Sequence, residues 1–413
     1  MTTALASPGV AVYLHVPYCA ALCHYCDFAK TARFDASSTA RYFDQLGKHL
    51  AAWLRAYENL RPGFHIHSVF FGGGTPSLFV DEIEQMMTLV RERLMPLAEV
   101  TLEANPEHCD LQRLTAWRQA GVNRLSLGIQ SFQQDGLNFL TRTHSPETAL
   151  RAIAEARLIV PSVSGDLIYG WPGQSLAAWE DDVTTMVNSG VHHMSCYGLT
   201  YEKSTPIGRR KDRGVVVPAN EGDESDMFAA TDRLLRENAF HHYEVSNFAR
   251  PGHSSTHNQS YWEFRDWLAV GVGAHAYIGS AGAWGTRFFY PRQERAFLAM
   301  PVPPADLFLG KDSNAQLLQM GCGVDERSTD GWILERASCG LRTALGCNIR
   351  ELGAEVGRDF EMSPAIREGI KRDVLALSAQ GVLTLTVGEW FREHSWSLEV
   401  SKSFGNGLNA TRS

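Results

Sequence analysis

Near its start the chain reads Tyr13-Leu14-His15-Val16-Pro17-Tyr18-Cys19-Ala20-Ala21-Leu22-Cys23-His24-Tyr25-Cys26-Asp27-Phe28, with three cysteines in the spacing C-x3-C-x2-C. The apolar run at 12–16 predicts a β-strand, so the cysteines fall in the loop after it. Three thiolates this close in sequence can bind one metal centre. The pattern indicates an iron–sulfur cluster held at three corners, with one iron open for another ligand. The alternative is a structural zinc whose fourth ligand is His15, His24 or a distant residue.

The composition is that of a globular protein with a sizeable core. Its 413 residues are 44% hydrophobic and 20% charged, which predicts one large α/β domain and a smaller one. The net charge of −8 argues against a non-specific nucleic-acid binder, and Arg209-Arg210-Lys211 predicts only a solvated loop. The five cysteines outside the loop are scattered and read as reduced, buried residues.

The expected location is the cytoplasm. Residues 1–8 place no Lys or Arg before an apolar core, so we expect no signal peptide. The chain has no run of about 18 apolar residues that could span a bilayer.

Short β-branched runs alternate with amphipathic stretches from residue 12 to about 280. This alternation predicts parallel strands joined by right-handed helical crossovers, and so an α/β fold with a partial (β/α)6 TIM-like barrel. We expect a barrel domain at 1–290 and a smaller, mainly helical domain at 291–413. Predicted strands are 12–15, 68–71, 100–103, 124–128, 164–169, 194–199 and 242–245. Predicted helices are 39–59, 81–95, 111–120, 146–158, 176–189, 314–320, 330–337 and 364–379.

A glycine-rich turn, Gly72-Gly73-Gly74-Thr75-Pro76, follows the second predicted strand. It lacks the Lys-Ser/Thr ending of a phosphate-binding loop and the G-x-G-x-x-G spacing of a dinucleotide site. Consecutive glycines let backbone approach a ligand, and their carbonyls can accept hydrogen bonds from an ammonium group. A merely flexible turn is the alternative. It is disfavoured because both this turn and the cysteine loop follow strands and should face the same barrel mouth.

Polar side chains stand at the ends of the other predicted strands. A buried, unpaired carboxylate costs several kcal/mol, so Glu103 and Asp166 each need a partner. Arg142 or a cationic or hydroxyl-bearing ligand would serve, and a structural ion pair is the alternative. Because Gln130 is expected at the same mouth as these three residues, a ligand site is favoured.

Taken in order, these motifs resemble the radical S-adenosylmethionine superfamily. The cysteine stretch, the glycine turn and Asn123-Arg124-Leu125-Ser126-Leu127-Gly128-Ile129-Gln130-Ser131-Phe132 carry the resemblance. It continues through residues 166–174 and 243–249, strongly over 12–280 and more loosely over 310–385. More narrowly, the chain is similar to the branch of oxygen-independent coproporphyrinogen III oxidases and the related HemW-type heme chaperones.

The resemblance implies that Cys19, Cys23 and Cys26 hold a [4Fe–4S] cluster whose open iron binds the amino and carboxylate groups of S-adenosylmethionine. One electron from the reduced cluster would break a C–S bond to give methionine and a 5′-deoxyadenosyl radical. The positions implied to contact S-adenosylmethionine are Tyr13, Tyr25, Gly73, Gly74, Thr75, Glu103, Gln130, Arg142 and Asp166, with Gly198 less securely aligned.

Two features point to a branch within the superfamily. The porphyrinogen-oxidising members have a fourth cysteine two residues after the third, where this chain has Phe28. Phe28 resembles the heme chaperones instead, and so does His257-Asn258-x-x-Tyr261-Trp262, which the resemblance links to heme binding. His257 offers an imidazole for axial coordination, with His253 and His275 as secondary candidates. The alternative is a buried histidine among core aromatics.

Three functional hypotheses follow. The first is a heme chaperone with a [4Fe–4S] cluster and S-adenosylmethionine that transfers heme to acceptor hemoproteins such as respiratory enzymes. The second is a radical enzyme acting on a tetrapyrrole, such as oxygen-independent coproporphyrinogen III dehydrogenase, and the third is a zinc-stabilised α/β protein. No catalytic residue is assigned. Expected partners are heme, its acceptors, an electron donor and, transiently, membrane proteins, but not nucleic acid.

Overall fold

The computed structural model describes residues 9–279, 281, 284–310, 312–386, 390 and 393–404. The expectation of no signal peptide rests on residues 1–8, which lie outside these ranges. The chain divides into two compact units, one made of Met1–Met227 with Ser255–Asp325 and the other of Phe228–Ser254 with Glu326–Ser413. The expected domain boundary at residue 290 stays a prediction.

The first unit is built on parallel strands, as predicted, and these strands pair in chain order. Each strand lies beside the next one along the chain, which is the arrangement that right-handed crossovers produce. These strands are β1 (Gly9–Val16), β2 (His65–Gly73), β3 (Leu94–Ala104), β4 (Arg124–Gln130), β5 (Ser162–Tyr169) and β6 (His193–Gly198).

Four of the six helices between these strands begin at a side-chain cap, and α2 and α4 do not. Asp35, Asp110, Ser145 and Ser175 each accept a hydrogen bond from a backbone N–H of the first turn. The predicted helix at 81–95 ends early, because a short turn follows it and β3 begins at Leu94. The helices are α1 (Ala36–Leu60), α2 (Val80–Val90), α3 (Leu111–Ala120), α4 (Gln134–Phe139), α5 (Pro146–Ile159) and α6 (Leu176–Ser189).

The sheet of the first unit continues past β1 and is open among the described residues, which agrees with a partial barrel. A further parallel strand pairs with β1, and three antiparallel strands follow it. These are β9 (Trp267–Val270), β10 (His275–Ile278), β11 (Thr286–Phe289) and β12 (Gly323–Asp325). The other helices here are α7 (Pro206–Asp212), α9 (Thr256–Trp262), α10 (Glu294–Leu298) and α11 (Ser313–Gln319).

The second unit is mainly helical, as predicted for the C-terminal part. The predicted helix at 364–379 is too long, because Asp373 has a φ of 54° and a strand begins at Leu375. Its elements, together with a helix that starts in the first unit, are α8 (Glu221–Glu237), β7 (His241–Glu244), β8 (Asn247–Ala249), α12 (Thr329–Leu341), β13 (Cys347–Asn348), α13 (Ile349–Val356), α14 (Pro364–Lys371), β14 (Leu375–Leu377), β15 (Val382–Leu385) and α15 (Glu393–Lys402).

The central parallel strands alternate between polar and apolar side chains. In β4, Leu125, Leu127 and Ile129 are fully buried and alternate with Arg124, Ser126 and Gly128. Successive side chains of a strand point to opposite faces, so one face of the sheet is polar. Strand register places Glu103 beside Ser126, Ser126 beside Ser164, and Ser164 beside His193. The candidate site is built on this polar face.

Within the described ranges, no helix combines the length and the apolar character needed to cross a bilayer.

Candidate functional site

The cysteine loop and the glycine turn are joined through their backbones. Gly74 N donates to Val16 O at 2.6 Å, and Thr75 N donates to Tyr18 O at 2.8 Å. A Cβ atom on Gly74 would lie 2.7 Å from Tyr18 O and 2.8 Å from Val16 O. The glycine is therefore required for contact between the two loops, a role that differs from both the ligand contact and the flexible turn considered from the sequence.

His15 braces the glycine turn rather than offering a ligand atom. Its Nε2 lies 2.7 Å from Ala29 O, and its Nδ1 lies 3.1 Å from the Tyr13 hydroxyl. Burial lowers the pKa of His15 to about 4, so the ring is neutral at physiological pH. A Cβ on Gly73, whose φ is +110°, would lie only 2.4 Å from the ring. The left-handed backbone and the lack of a side chain at Gly73 make room for this imidazole.

Of the two histidines considered as zinc ligands, His15 has both ring nitrogens hydrogen-bonded, whereas His24 Nε2 lies 2.8 Å from Phe139 O and its buried Nδ1 has no hydrogen-bond partner. Over the residues that the structure describes, no three or more His, Cys, Asp or Glu side chains are grouped to hold a single metal ion, and this holds for the three cysteines of the loop as well. The geometry therefore argues against His15 as a zinc ligand.

The three cysteines of the loop differ in their surroundings. Cys19 is 6% exposed, and Cys19 N donates to Thr31 O at 3.0 Å. Burial raises the pKa of the Cys19 thiol to about 11, although a hydrogen bond with Thr75 opposes the shift. Cys23 and Cys26 are half-buried, outside any helix or strand. One thiol is thus fixed against the core, and the other two lie in the loop beyond it.

Arg142 connects the cysteine loop with the ends of β3 and β4. Its Nη2 donates to Asn105 Oδ1 at 2.7 Å and to Gly128 O at 2.9 Å, and its Nη1 lies 3.4 Å from Cys23 Sγ. Its buried Nε has no hydrogen-bond partner. The idea that Arg142 neutralises Glu103 or Asp166 is therefore wrong, because all its bonds go to other groups. Asn105 is a site residue that the sequence interpretation left without a role.

Glu103 and Asp166 find their partners elsewhere. Glu103 Oε2 accepts a hydrogen bond from Gly73 N at 3.0 Å, and burial raises its pKa to about 7. Asp166 accepts hydrogen bonds from Ser126 at 3.0 and 3.1 Å and from Ser164 at 3.3 Å. Burial also raises the pKa of Asp166, and these hydrogen bonds oppose the shift. Backbone and hydroxyl donors thus replace the cation that the sequence interpretation proposed.

Arg124 is a cation that acts on the pKa of both acids. It was not identified as a site residue from the sequence. It is 3% exposed, and its buried Nε has no hydrogen-bond partner. Its charge partly opposes the rise that burial causes in the pKa of Glu103 and of Asp166. The alternation of β4 is the signal that could have identified Arg124, because it places this side chain on the same face as Ser126.

Gln130 stands where β4 leaves its regular pairing. Its φ is 70°, and the register with β5 slips between Gly128 and Gln130. The amide of Gln130 folds over Gly128, where a Cβ would lie 2.9 Å from Gln130 Nε2 and 3.5 Å from Arg142 Nη2. The bulge therefore brings Gln130 and Arg142 to the same glycine.

The remaining predicted contact residues lie around this centre. Tyr25 is hydrogen-bonded to Cys23 and packs against the buried cluster of Leu140, Ile168, Trp171, Leu199, Ile207 and Val216. Gly198 lies beside Tyr169, 3.4 Å from its ring when a Cβ is added. Taken together, the structure brings the cysteine loop, the glycine turn, Glu103, Gln130 and Arg142 to one end of the strands.

His257 lies on α9, against the polar face of the sheet. It is 1% exposed, and burial lowers its pKa to about 3. Its Nδ1 is 2.9 Å from Ser68 Oγ, and its Nε2 is 2.7 Å from Tyr261 Oη. Both ring nitrogens are engaged, so axial coordination of heme requires one of these bonds to open. Of the secondary candidates, His275 stacks on Phe289 at 4.9 Å, and His253 belongs to the second unit.

Comparison with known proteins agrees with this geometry. Residues 13–186 match the family described as the radical SAM superfamily. The mitochondrial radical S-adenosyl methionine domain-containing protein 1 of Bos taurus is 37% identical over 92% of this chain and 83% of its own length. The chain belongs to the radical SAM superfamily.

The next two relatives are named as a radical S-adenosyl methionine domain-containing protein and as a heme chaperone. The Mus musculus form of the protein above is 40% identical, but the alignment covers only 68% of this chain and 63% of that protein, less than two thirds of its length. The heme chaperone HemW of Bacillus subtilis is 28% identical over 91% of this chain and 94% of its own length.

A solved structure shares the fold of this radical SAM protein. The Escherichia coli coproporphyrinogen III oxidase HemN has a TM-score of 0.71, with 19% identity over 95% of this chain and 90% of that one. The α/β architecture with an open parallel sheet is therefore confirmed. Membership of the superfamily implies a [4Fe–4S] cluster and S-adenosylmethionine.

Proposed function

We propose that this chain is a heme chaperone built on a radical SAM scaffold, which binds heme and transfers it to acceptor hemoproteins. The observation that carries the proposal is its alignment with the Bacillus subtilis heme chaperone HemW over 94% of that protein. Phe28 supports it, because this residue stands where the resemblance places a fourth cysteine in the porphyrinogen-oxidising branch. The Phe28 side chain is 63% exposed beside the cysteine loop.

In this proposal Cys19, Cys23 and Cys26 are the protein ligands of the [4Fe–4S] cluster. The cluster, when bound, supplies one electron to S-adenosylmethionine. The residues present fit such a group, since Arg142 places Nη1 3.4 Å from Cys23 Sγ and carries a buried Nε without a partner. A guanidinium here stabilises thiolate and carboxylate charge at the loop.

The proposed S-adenosylmethionine contacts fit the charges of that ligand. Glu103, oriented by Gly73 N, is an acceptor for an ammonium group, and Arg142 is a donor for a carboxylate. Burial around Glu103 strengthens such a charge-assisted bond by excluding water. The full set remains Tyr13, Tyr25, Gly73, Gly74, Thr75, Glu103, Gln130, Arg142 and Asp166.

His257 remains the proposed heme ligand, with a condition that the geometry adds. Heme binding there requires α9 to move so that Nε2 leaves Tyr261 or Nδ1 leaves Ser68. The proposal also includes a cytoplasmic location, an electron donor, and transient contact with membrane-bound acceptors such as respiratory enzymes.

The test is a hemin titration of the anaerobically reconstituted protein, followed by its Soret absorption. We expect a Soret shift in the wild type that His257→Ala weakens at least tenfold. His49→Ala is the matched control, because His49 is also fully buried with both ring nitrogens hydrogen-bonded, to Gln45 and Tyr290. Equal hemin affinity in all three proteins would remove His257 as the ligand.

A parallel assay with coproporphyrinogen III addresses the enzymatic alternative. The chaperone proposal expects no vinyl product above background from the reconstituted protein with S-adenosylmethionine and a reductant. Steady turnover of this substrate would contradict the chaperone proposal and favour oxidative decarboxylation.

A further inference from the structure

The side chain of Asn105 is not used where an asparagine at its position commonly is. Asn105 follows β3 and precedes the short helical turn Pro106–His108, where such a side chain often accepts a hydrogen bond from the turn's backbone N–H groups. Here the side chain makes no capping bond, and the backbone carbonyl of Asn105 accepts from His108 N at 3.0 Å. Its Oδ1 instead accepts a hydrogen bond from Arg142 Nη2 at 2.7 Å. The carboxamide therefore serves the candidate site and not the local turn.

Two acceptors hold one end of the Arg142 guanidinium. Nη2 donates to Asn105 Oδ1 and also to Gly128 O at 2.9 Å. A Cβ on Gly128 would lie 3.5 Å from Arg142 Nη2 and 3.6 Å from Asn105 Oδ1, so both groups pack closely over this glycine. A guanidinium is planar and presents its donors in a rigid fork. Holding Nη2 therefore also fixes the positions of Nη1 and Nε.

The other donors of this fork are left for the cysteine loop and for a ligand. Nη1 lies 3.4 Å from Cys23 Sγ, and the buried Nε has no hydrogen-bond partner among the described residues. Cys19 is hydrogen-bonded to Thr75 instead. A hydrogen bond to a ligand sulfur of an iron–sulfur cluster stabilises the negative charge gained on reduction, so it raises the reduction potential. Arg142 is thus placed to act on the cluster through Cys23.

We propose that Asn105 is a positioning residue that sets, through Arg142, both the reduction potential of the cluster and the affinity for S-adenosylmethionine. By holding Nη2, it keeps Nη1 at Cys23 Sγ and keeps Nε available as a donor to the carboxylate of the ligand. The inference rests on the cluster and the S-adenosylmethionine site of the proposed function. It is independent of whether the chain carries heme.

A merely structural contact between β3 and β4 makes a different prediction. Loss of such a contact would lower the stability of the fold and leave the reduction potential and the ligand affinity unchanged. Asn123 provides a contact of this kind, because its carboxamide donates to Ala98 O and accepts from Val100 N, both at 2.8 Å, at the other end of the same two strands. Asn123→Ala is therefore the matched control for Asn105→Ala.

The experiment uses the full chain after anaerobic reconstitution of the cluster, with iron and sulfide content measured in every variant. Electron paramagnetic resonance gives the midpoint potential of the cluster during titration with dithionite, which supplies the single electron. Equilibrium dialysis with the oxidised cluster gives the dissociation constant for S-adenosylmethionine. For Asn105→Ala we expect a lower midpoint potential and about tenfold weaker S-adenosylmethionine binding. Asn123→Ala should match the wild type in both quantities.

A double-mutant cycle tests whether Asn105 acts through Arg142. In the Arg142→Gln background, Asn105→Ala should change neither the potential nor the affinity any further. Asn105→Asp keeps an oxygen for Nη2, so it should keep the affinity within about threefold of wild type. Additive effects of the two substitutions, wild-type values in Asn105→Ala, or an affinity in Asn105→Asp as weak as in Asn105→Ala would each overturn the inference.

The proposed function and this inference fail in different ways. A wild-type chain that binds no cluster would refute the scaffold of the proposed function, and this inference with it. A wild-type chain with a cluster that binds no hemin would refute the heme proposal alone. A cluster whose potential and ligand affinity are unaffected by Asn105→Ala would refute only the positioning role.

Discussion

At the scale of single residues, Glu103 shows how burial of a carboxylate that can bind a ligand lowers the stability of the fold. Burial raises its pKa from 4.5 to about 7. Between these pH values the folded chain holds a proton on Glu103 that the unfolded chain has lost. Stability therefore falls as the pH rises through this window.

Glu103→Gln should remove this cost, because an amide keeps an acceptor for Gly73 N and does not ionise. In urea unfolding of the cofactor-free protein, we expect the variant to be about 2–3 kcal/mol more stable than wild type at pH 8. Near pH 4.5 the difference should shrink towards zero. The same change should weaken S-adenosylmethionine binding at least tenfold, and a variant that gains no stability at pH 8 would contradict the burial of this charge.

Arg124 and Arg142 show why partners of buried charges are hard to assign from sequence. Both arginines lie in or near the quoted motifs, and either one is able to neutralise an acid. Strand register decides between them, since it places Arg124 on the face that carries Ser126 and Asp166, whereas Arg142 follows α4 and reaches Cys23. A single sequence does not contain this register.

At the scale of elements, the contact between the glycine turn and the cysteine loop depends on Gly74. In Gly74→Ala, the added methyl would meet backbone atoms at 2.7 to 2.8 Å, so the two loops must separate. We expect a loss of about 2–3 kcal/mol in the free energy of unfolding, measured with urea, and lower iron content after reconstitution. Gly310→Ala is the control, because a Cβ there meets no atom within 4 Å. Equal stability of the two variants would show that the loops are not in contact.

The cysteine loop itself should be separable from the strand and helix core. Cys23 is half-buried and outside any regular element, so we expect Cys23→Ser to lose cluster iron and sulfide while the thermal midpoint of the cofactor-free protein stays within about 3 °C of wild type. Cys322→Ser is the opposite control, since Cys322 is 4% exposed and its replacement should lower stability without loss of iron. Global unfolding of Cys23→Ser would contradict the architecture.

At the scale of the whole molecule, buried neutral histidines make the first unit sensitive to acid. Burial lowers the pKa of His15, His49 and His67 to about 4 and that of His257 to about 3. Between those values and 6.5 the unfolded chain binds more protons than the folded one. Stability is therefore present above pH 6.5 and is lost as the pH falls towards 4.

We expect these four histidines to lower the stability of the cofactor-free protein as the pH falls from 7 to 5, against the gain from Glu103, whose raised pKa acts in the opposite direction over the same range. Urea unfolding at both pH values measures the net change. His67→Gln should flatten this dependence, because it removes one neutral histidine that must be protonated on unfolding. An unchanged pH dependence in this variant would show that His67 is accessible to solvent in the folded chain.

Much of the fold could be predicted from local sequence patterns. Alternating strand and helix signals predicted the parallel strands β1 to β6, because each crossover is formed by residues close in sequence. The predicted strand at 242–245 instead pairs antiparallel with β8. The ends of the helices were predicted less well, because the predicted helices 81–95 and 364–379 both include residues that form strands. The start of β3 at Leu94 and of β14 at Leu375 depends on pairing with β2 and β15, which no local signal records.

For the site, the sequence by itself determined that the cysteine loop, the glycine turn, Glu103, Gln130 and Arg142 gather at one end of the strands, because parallel strands direct all their C-terminal loops to the same edge. Tertiary structure alone decided how those residues are connected. Gly74 allows the glycine turn to contact the cysteine loop, and Ser126 donates a hydrogen bond to Asp166. Both ring nitrogens of His257 are hydrogen-bonded, to Ser68 and Tyr261. Such pairings depend on strand register and on distances of a few tenths of an ångström between segments far apart in the chain.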